Sequence, residues 1–259
     1  MHINLINKII KKTRRWHKKT RLSFFQRTAS YFEKKKKEII HHVIDQLNIP
    51  FDPEGQGTNR EQSKIIWICW FQGLDSAPEL VKHCIDSVHN NNGDLEVVII
   101  TDSNFPDYVS LPSGIIDKYN SGLIGKAHFS DILRCCLLHK YGGIWLDATI
   151  FLTRELSPSF SNTSFCSLRF KNSADYSSVS NGFWTTYLLA SEKNGYLIGH
   201  VMDLLIKYWQ KYDVAIDYFL MDYIFNYLFD RNPLARKLLL AHPDLGHERC
   251  LLKNNLNNR

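Results

Sequence analysis

Three short runs of nearly unbroken apolar residues, separated by helical stripes, constrain this fold more than any other feature of the chain. Lys64-Ile65-Ile66-Trp67-Ile68-Cys69-Trp70 lacks the polar alternation of a half-exposed strand, and 95–101 and 144–152 read the same way. Such runs suit strands buried on both faces, as in a parallel sheet covered by helices. Between them, 78–89 places Leu80, Val81, Cys84, Ile85 and Val88 on one stripe behind Pro78. The segment 130–140 runs from a Ser130 cap, with Asp131 in the first turn, to a stop at Gly142-Gly143. This alternation predicts an α/β domain on a doubly wound parallel sheet, with ligands beyond the carboxyl ends of its strands. After residue 181 the chain reads helical, over 187–189, 197–209 and 218–229.

Charge divides the chain. Residues 1–40 hold thirteen Lys/Arg against Glu33 and Glu38, a net of +11, whereas the whole chain of 259 residues is only +6 and the rest is therefore acidic. Ile3, Ile6, Ile9 and Ile10 fall at helical spacing, and Phe24, Phe25, Tyr31 and Phe32 follow among basic residues up to the lysine run 34–37. Residues 1–48 thus read as a basic amphipathic helical arm that can detach from the domain. It suits an anionic membrane surface, or is simply a solvated charged face. No nucleic-acid-binding module accompanies it, so nucleic acid is not an expected partner. Pro50, Pro53, Gly55, Gly57 and Asn59 mark a linker at 49–63. The main domain is expected over 64–253, with a polar tail at 254–259.

Six cysteines occur without a C-x-x-C pair or zinc spacing, so they read as buried thiols in a reducing cytosol. No secretory leader is legible, and no apolar run reaches the ~18 residues that suggest a spanning helix.

The chemistry concentrates in Ser130-Asp131-Ile132-Leu133-Arg134 and Tyr141-Gly142-Gly143-Ile144-Trp145-Leu146-Asp147-Ala148-Thr149. Asp131 and Arg134, three apart, share a helix face. Strand periodicity points Trp145, Asp147 and Thr149 the same way. An aspartate in an apolar strand is costly unless it meets a cation or donors. That cation is either a metal ion or Arg134, the latter making a buried salt bridge with no chemistry.

The S-D-x-x-R and G-G-x-x-x-D combination resembles the core signature of the capsular polysaccharide synthesis family, and of the wider DXD-type sugar transferases that include yeast mannosyltransferases and clostridial glucosylating toxins. Ile66-Trp67-Ile68-Cys69-Trp70-Phe71-Gln72-Gly73, Ala77-Pro78-Glu79-Leu80 and Asp217-Tyr218-Phe219-Leu220-Met221-Asp222-Tyr223 are similar to that family too, so the resemblance covers roughly residues 64–230. It implies a Rossmann-like, single-domain (GT-A type) hexosyltransferase, retaining in stereochemistry, acting on a capsular or O-antigen type acceptor, glycan or lipid-linked. It implies a nucleotide-sugar donor, UDP favoured, with Mn²⁺ or Mg²⁺, at the inner face of a bacterial membrane. Longer relatives are expected to continue beyond the C-terminus of this chain.

By position, Asp131 and Arg134 would hold donor-sugar hydroxyls, and Asp147 would be the first DXD acid and metal ligand. Trp70 would stack on the nucleobase within the Gln72-Gly73 turn, and Asn181 and Asp222 would face the anomeric carbon. His128 reads as a structural histidine. The second DXD acid is replaced by Thr149, whose hydroxyl would complete a metal shell together with diphosphate oxygens. This departure leaves open an alternative, a non-catalytic nucleotide-sugar or glycan-binding protein at the membrane surface.

Overall fold

A computed structural model describes residues 3–51, 63–160, 163–169 and 179–241. Its described helices are α1 (Ile3–Thr20), α2 (Ser23–Asp45), α3 (Glu79–His89), α4 (Phe105–Tyr108), α5 (Ser113–Asn120), α6 (Lys126–Tyr141), α7 (Tyr196–Lys211), α8 (Leu220–Arg231) and α9 (Pro233–Ala241). The strands are β1 (Ile65–Cys69), β2 (Glu96–Ile100), β3 (Gly143–Asp147), β4 (Phe165–Ser167) and β5 (Leu188–Ser191). They form one sheet of order β2-β1-β3-β5-β4.

The expected α/β class holds, but only half of the sheet is parallel. β1 pairs parallel with β2 and β3, whereas β5 runs antiparallel to β3 and to β4. The helical reading of 187–189 is corrected here. Leu188, Leu189 and Ala190 are buried on both faces of a strand that lies between two others, and such a strand shows no alternation to distinguish it from helix.

Strand periodicity sorts the core into two layers. Trp67, Trp145, Phe165 and Leu189 share a cluster with α6, α7 and α8, while Ile66, Ile68, Ile144, Leu146, Cys166, Leu188 and Ala190 pack with Val81, Ile85 and Val88 of α3. Both sheet faces are therefore covered, which explains the apolar runs.

Two boundaries differ from expectation. α6 begins a turn before Ser130, with Gly125 as its N-cap, because Phe129 extends the buried stripe of Ile132, Leu133 and Leu137 toward the N-terminus. Asp131 therefore lies in the second turn, and the first-turn dipole argument for it fails. β3 ends at Asp147, not at residue 152, so Asp147 sits at the carboxyl end of its strand and Thr149 follows in a turn. The reversal from α6 into β3 needs no loop. Gly142 and Gly143 adopt φ of 72° and 101°, and a Cβ on Gly143 would lie 2.5 Å from the Ile65 carbonyl oxygen.

α1 and α2 form an antiparallel hairpin turned at Arg21, whose φ is 57°. Ile40 and Ile44 of α2, with Leu47 beyond it, join the core cluster of α6 to α8. Tyr227 donates to Asp45 at 2.8 Å, and Lys37 pairs with Asp230 at 2.7 Å. The C-terminal half of α2 is thus built into the domain. The linker residues Pro53, Gly55, Gly57 and Asn59, the tail at 254–259 and Cys250 lie outside the described residues. No described helix is long and apolar enough to cross a membrane.

Candidate active site

Where the parallel strands end, a cavity of about 380 Å³ opens. Cys69 and Asp147 are register partners at the ends of β1 and β3, the position where ligands gather on such sheets. The second and third turns of α6 add Ser130, Asp131 and Arg134, the approach to β5 adds Thr186 and Tyr187, and the start of α8 adds Tyr218, Phe219, Met221 and Asp222. Its size lies within the range of small-molecule sites.

Arg134 organises the floor. Its residue is 5% exposed, and a buried guanidinium must be paired to be tolerated. It donates through Nη1 to the Thr186 carbonyl oxygen and through Nη2 to Asp147 Oδ1 at 3.2 Å, with Asp131 Oδ1 3.4 Å from the same nitrogen. Its guanidinium carbon lies 4.9 Å from the Trp145 ring centroid, within cation–π range. Trp145 Nε1 donates to Asp147 Oδ1 at 2.8 Å. Arg134 Nε and Trp70 Nε1 are buried without a hydrogen-bond partner among the described residues, and both residues line the cavity.

The three acids differ in surroundings. Burial pushes the Asp131 carboxyl up to about 7, against the Arg134 guanidinium, with Asp222 and Asp147 adding to the rise. Asp222 accepts the indole N–H of Trp184 at 3.0 Å, which ties the start of α8 to a buried ring. Cys69 also lines the cavity, but burial pushes its thiol up to about 12, far from the range of a thiolate nucleophile. His128 sits against the Trp209 and Tyr218 rings with Nδ1 3.9 Å from Asp131, and burial lowers its pKa.

The fold brings Trp70, Asp131, Arg134, Asp147, Thr149 and Asp222 around one cavity. Gln72, Gly73 and Asn181 are not among its lining residues. Asn181 occupies an exposed turn at φ 48°, and Gly73 caps a short 3₁₀ turn at φ 79°. Trp145, Thr186, Tyr187, Tyr218 and Phe219 were missed by sequence reasoning. Trp145 left a usable signal, its place two residues before Asp147 on the same strand face, and Tyr218 and Phe219 stand in the stretch 217–223 that carries part of the family resemblance. Among the described residues, no group of three or more His, Cys, Asp or Glu is arranged to hold a metal ion. The protein's offer to a cation here is the Asp147 carboxylate, one oxygen of which already meets Arg134 and Trp145.

Comparison with known proteins adds a family. The model for "Capsular polysaccharide synthesis protein" matches residues 16–259, so it begins within α1 and takes in all of α2. No curated protein matches the chain in sequence. Among solved structures, "PaToxG Glycosyltransferase" is similar over 82% of this chain and 88% of its own, at 19% identity and a TM-score of 0.47, a likeness too distant to carry an argument.

Proposed function

This chain belongs to the capsular polysaccharide synthesis protein family, and from that premise we propose that it is a glycosyltransferase moving a hexose from a nucleotide sugar, a UDP-sugar first, to a growing surface glycan or lipid-linked glycan. The observation that supports this reading is the Arg134 cluster. A buried guanidinium with one carboxylate on either side, at the carboxyl end of a parallel sheet, faces a cavity of ligand size. Asp131 and Arg134 accept from and donate to the hydroxyls of the donor sugar. Trp70 offers its ring to the nucleobase and its unpartnered indole N–H as a donor.

Asp222 provides negative charge toward the anomeric carbon as it becomes cationic in a retaining transfer. Arg134 also holds Asp147 at a fixed position, so that its free oxygen is preorganised for a cation that accompanies the donor diphosphate. The residues that would hold Mn²⁺ or Mg²⁺ are Asp147 and Thr149, with donor phosphate oxygens completing the shell, since among the described residues no group of three or more His, Cys, Asp or Glu is arranged to hold an ion. Such an ion, when bound, neutralises charge on the leaving diphosphate.

The hairpin of α1 and α2 supports a peripheral place on the inner face of a bacterial membrane. Its tip exposes Trp16, Leu22 and Phe24 among Arg15, Lys18, Lys19, Arg21 and Arg27, with no acid before Glu33.

A thermal-shift screen of UDP-, GDP- and CMP-sugars, with and without Mn²⁺, tests the reading. A UDP-sugar should raise the melting temperature by mass action, and Asp147→Ala should abolish release of UDP. Wild-type turnover in that variant, or no shift with any nucleotide sugar, sinks the active-site assignment. Binding without UDP release favours the non-catalytic alternative, which the engagement of Asp147 by Arg134 also supports.

A further inference from the structure

The largest fully buried side chains among the described residues are aromatic, Trp67, Trp145, Trp184, Trp209, Phe129 and Phe225 among them. Tyr218 and Phe219 are the exception at the cavity. They line it while remaining 68% and 52% exposed, with their rings edge to face at 5.1 Å. Exposed rings at the mouth of a polar cavity are costly to leave in water and suit a ligand with one apolar face.

The segment bearing them is pinned from behind. Asp217 Oδ1 accepts the Phe219 backbone N–H at 3.1 Å, and Asp217 Oδ2 pairs with Lys36 Nζ at 2.6 Å. The Lys36 and Asp217 side chains are only 11% and 6% exposed. Lys36 also lies 5.3 Å from the Tyr223 ring centroid, and Asn7 reaches Asp217 at 3.5 Å. A buried ion pair contributes little net stability, so its most direct use is to fix one geometry. What it fixes is the backbone that turns into α8, immediately before Asp222.

We propose that Tyr218 and Phe219 form the docking platform for the acceptor saccharide, held at the cavity by the buried Lys36–Asp217 ion pair that joins α2 to the start of α8. The face of an aromatic ring carries partial negative charge, and the C–H face of a pyranose is its complement. Nucleobases also stack on rings, but Trp70, entering from β1, serves that need at the donor end. The inference rests on the transferase reading above. Lys36 and Asp217 act as positioning residues, since they touch the platform and not the substrate.

The test uses the full chain and a set of short gluco-, galacto- and mannopyranosyl oligosaccharides as probes. Binding is followed by saturation-transfer NMR, and donor hydrolysis is followed separately as release of UDP. The wild type should bind a member of the set at millimolar concentration. The double variant Tyr218→Ala/Phe219→Ala should weaken that binding by about tenfold or more, as expected when stacking rings are lost, a larger factor than any change in donor KM. Phe219→Trp should retain saccharide binding. Lys36→Met, assayed well below its own melting temperature, should weaken saccharide binding and spare donor KM, a split that a merely structural ion pair does not produce.

The proposal is overturned if the wild type binds none of the probes, if the double alanine variant binds them equally well, or if that variant loses donor affinity instead, which would assign the rings to the base. Saccharide binding that depends on the two rings in a protein without donor hydrolysis would uphold the platform and sink the transferase reading, so the two failures are distinguishable.

Discussion

Trp145 donates its indole N–H to Oδ1 of Asp147, two residues along the same strand, at 2.8 Å. The same oxygen receives Nη2 of Arg134 at 3.2 Å. An aspartate in an apolar run is thus held by two donors from the buried side, and its removal strands the Trp145 N–H and leaves Arg134 Nη2 only its longer contact to Asp131. Asp147→Ala should therefore destabilise the fold by about 1–3 kcal/mol, the cost of leaving buried donors unsatisfied, besides abolishing transfer. Chemical denaturation of the variant checks this. Stability equal to or above wild type would show that the two bonds contribute nothing net.

Arg134 reaches Thr186, Asp147 and Asp131 and lies over Trp145. A lysine brings a point charge to one of these at a time. Arg134→Lys should lose about two orders of magnitude in turnover, comparable to Arg134→Ala and in the range seen when one preorganised donor is removed from a reacting site. Steady-state kinetics of both variants decides, and near-normal turnover in the lysine form would reduce Arg134 to a charge.

The raised pKa of Asp131 has a signed consequence. Its carboxyl binds a proton more tightly in the folded chain, where it is pushed up to about 7, than in the unfolded chain, at its ordinary 3.8. Its contribution to stability is full below the unfolded value and is lost as pH rises through the folded one. Wild type should therefore lose stability between about pH 4 and about pH 7, and Asp131→Asn should flatten that slope. Parallel slopes in denaturant titrations at the two pH values would show that the carboxyl is not protonated in the fold.

Gly143→Ala should unfold the β1–β3 junction. A Cβ at this φ of 101° meets the Ile65 carbonyl oxygen at 2.5 Å, so the strand register has to give. Backbone strain alone costs about 1–3 kcal/mol, and the clash adds to it. A melting temperature within error of wild type would refute the close approach.

The tip of the hairpin should bind anionic vesicles. Each cation near such a surface contributes about 1 kcal/mol, and screening shortens its reach to about 8 Å at physiological salt. Trp16→Ser/Leu22→Ser/Phe24→Ser should weaken sedimentation with phosphatidylglycerol-containing vesicles and leave the fold intact, because all three side chains are exposed. Binding that is equal on neutral vesicles, or unchanged by the triple substitution, would assign the basic residues to solubility.

Elements whose pattern is local could be read from the order of residues. Strands 65–69, 96–100 and 143–147 announce themselves by apolar runs, and α3, α6 and α7 by their stripes, because burial on a covered sheet or along one helix face writes a period into neighbouring residues. The grouping of Asp131, Arg134 and Asp147 was legible for the same reason, since a helix spacing of three and a strand following a glycine reversal bring them to one end of one unit. Tertiary structure alone decided what depends on partners distant in the chain. Leu188–Ser191 is a strand because β3 and β4 flank it, Asp147 ends its strand where the cavity opens, and Tyr218 and Phe219 reach that cavity through an ion pair to Lys36, far away in the N-terminal hairpin. Ile40 and Ile44 fall within the stretch expected to detach and are instead part of the core, because an amphipathic face carries no mark of whether protein or membrane will cover it.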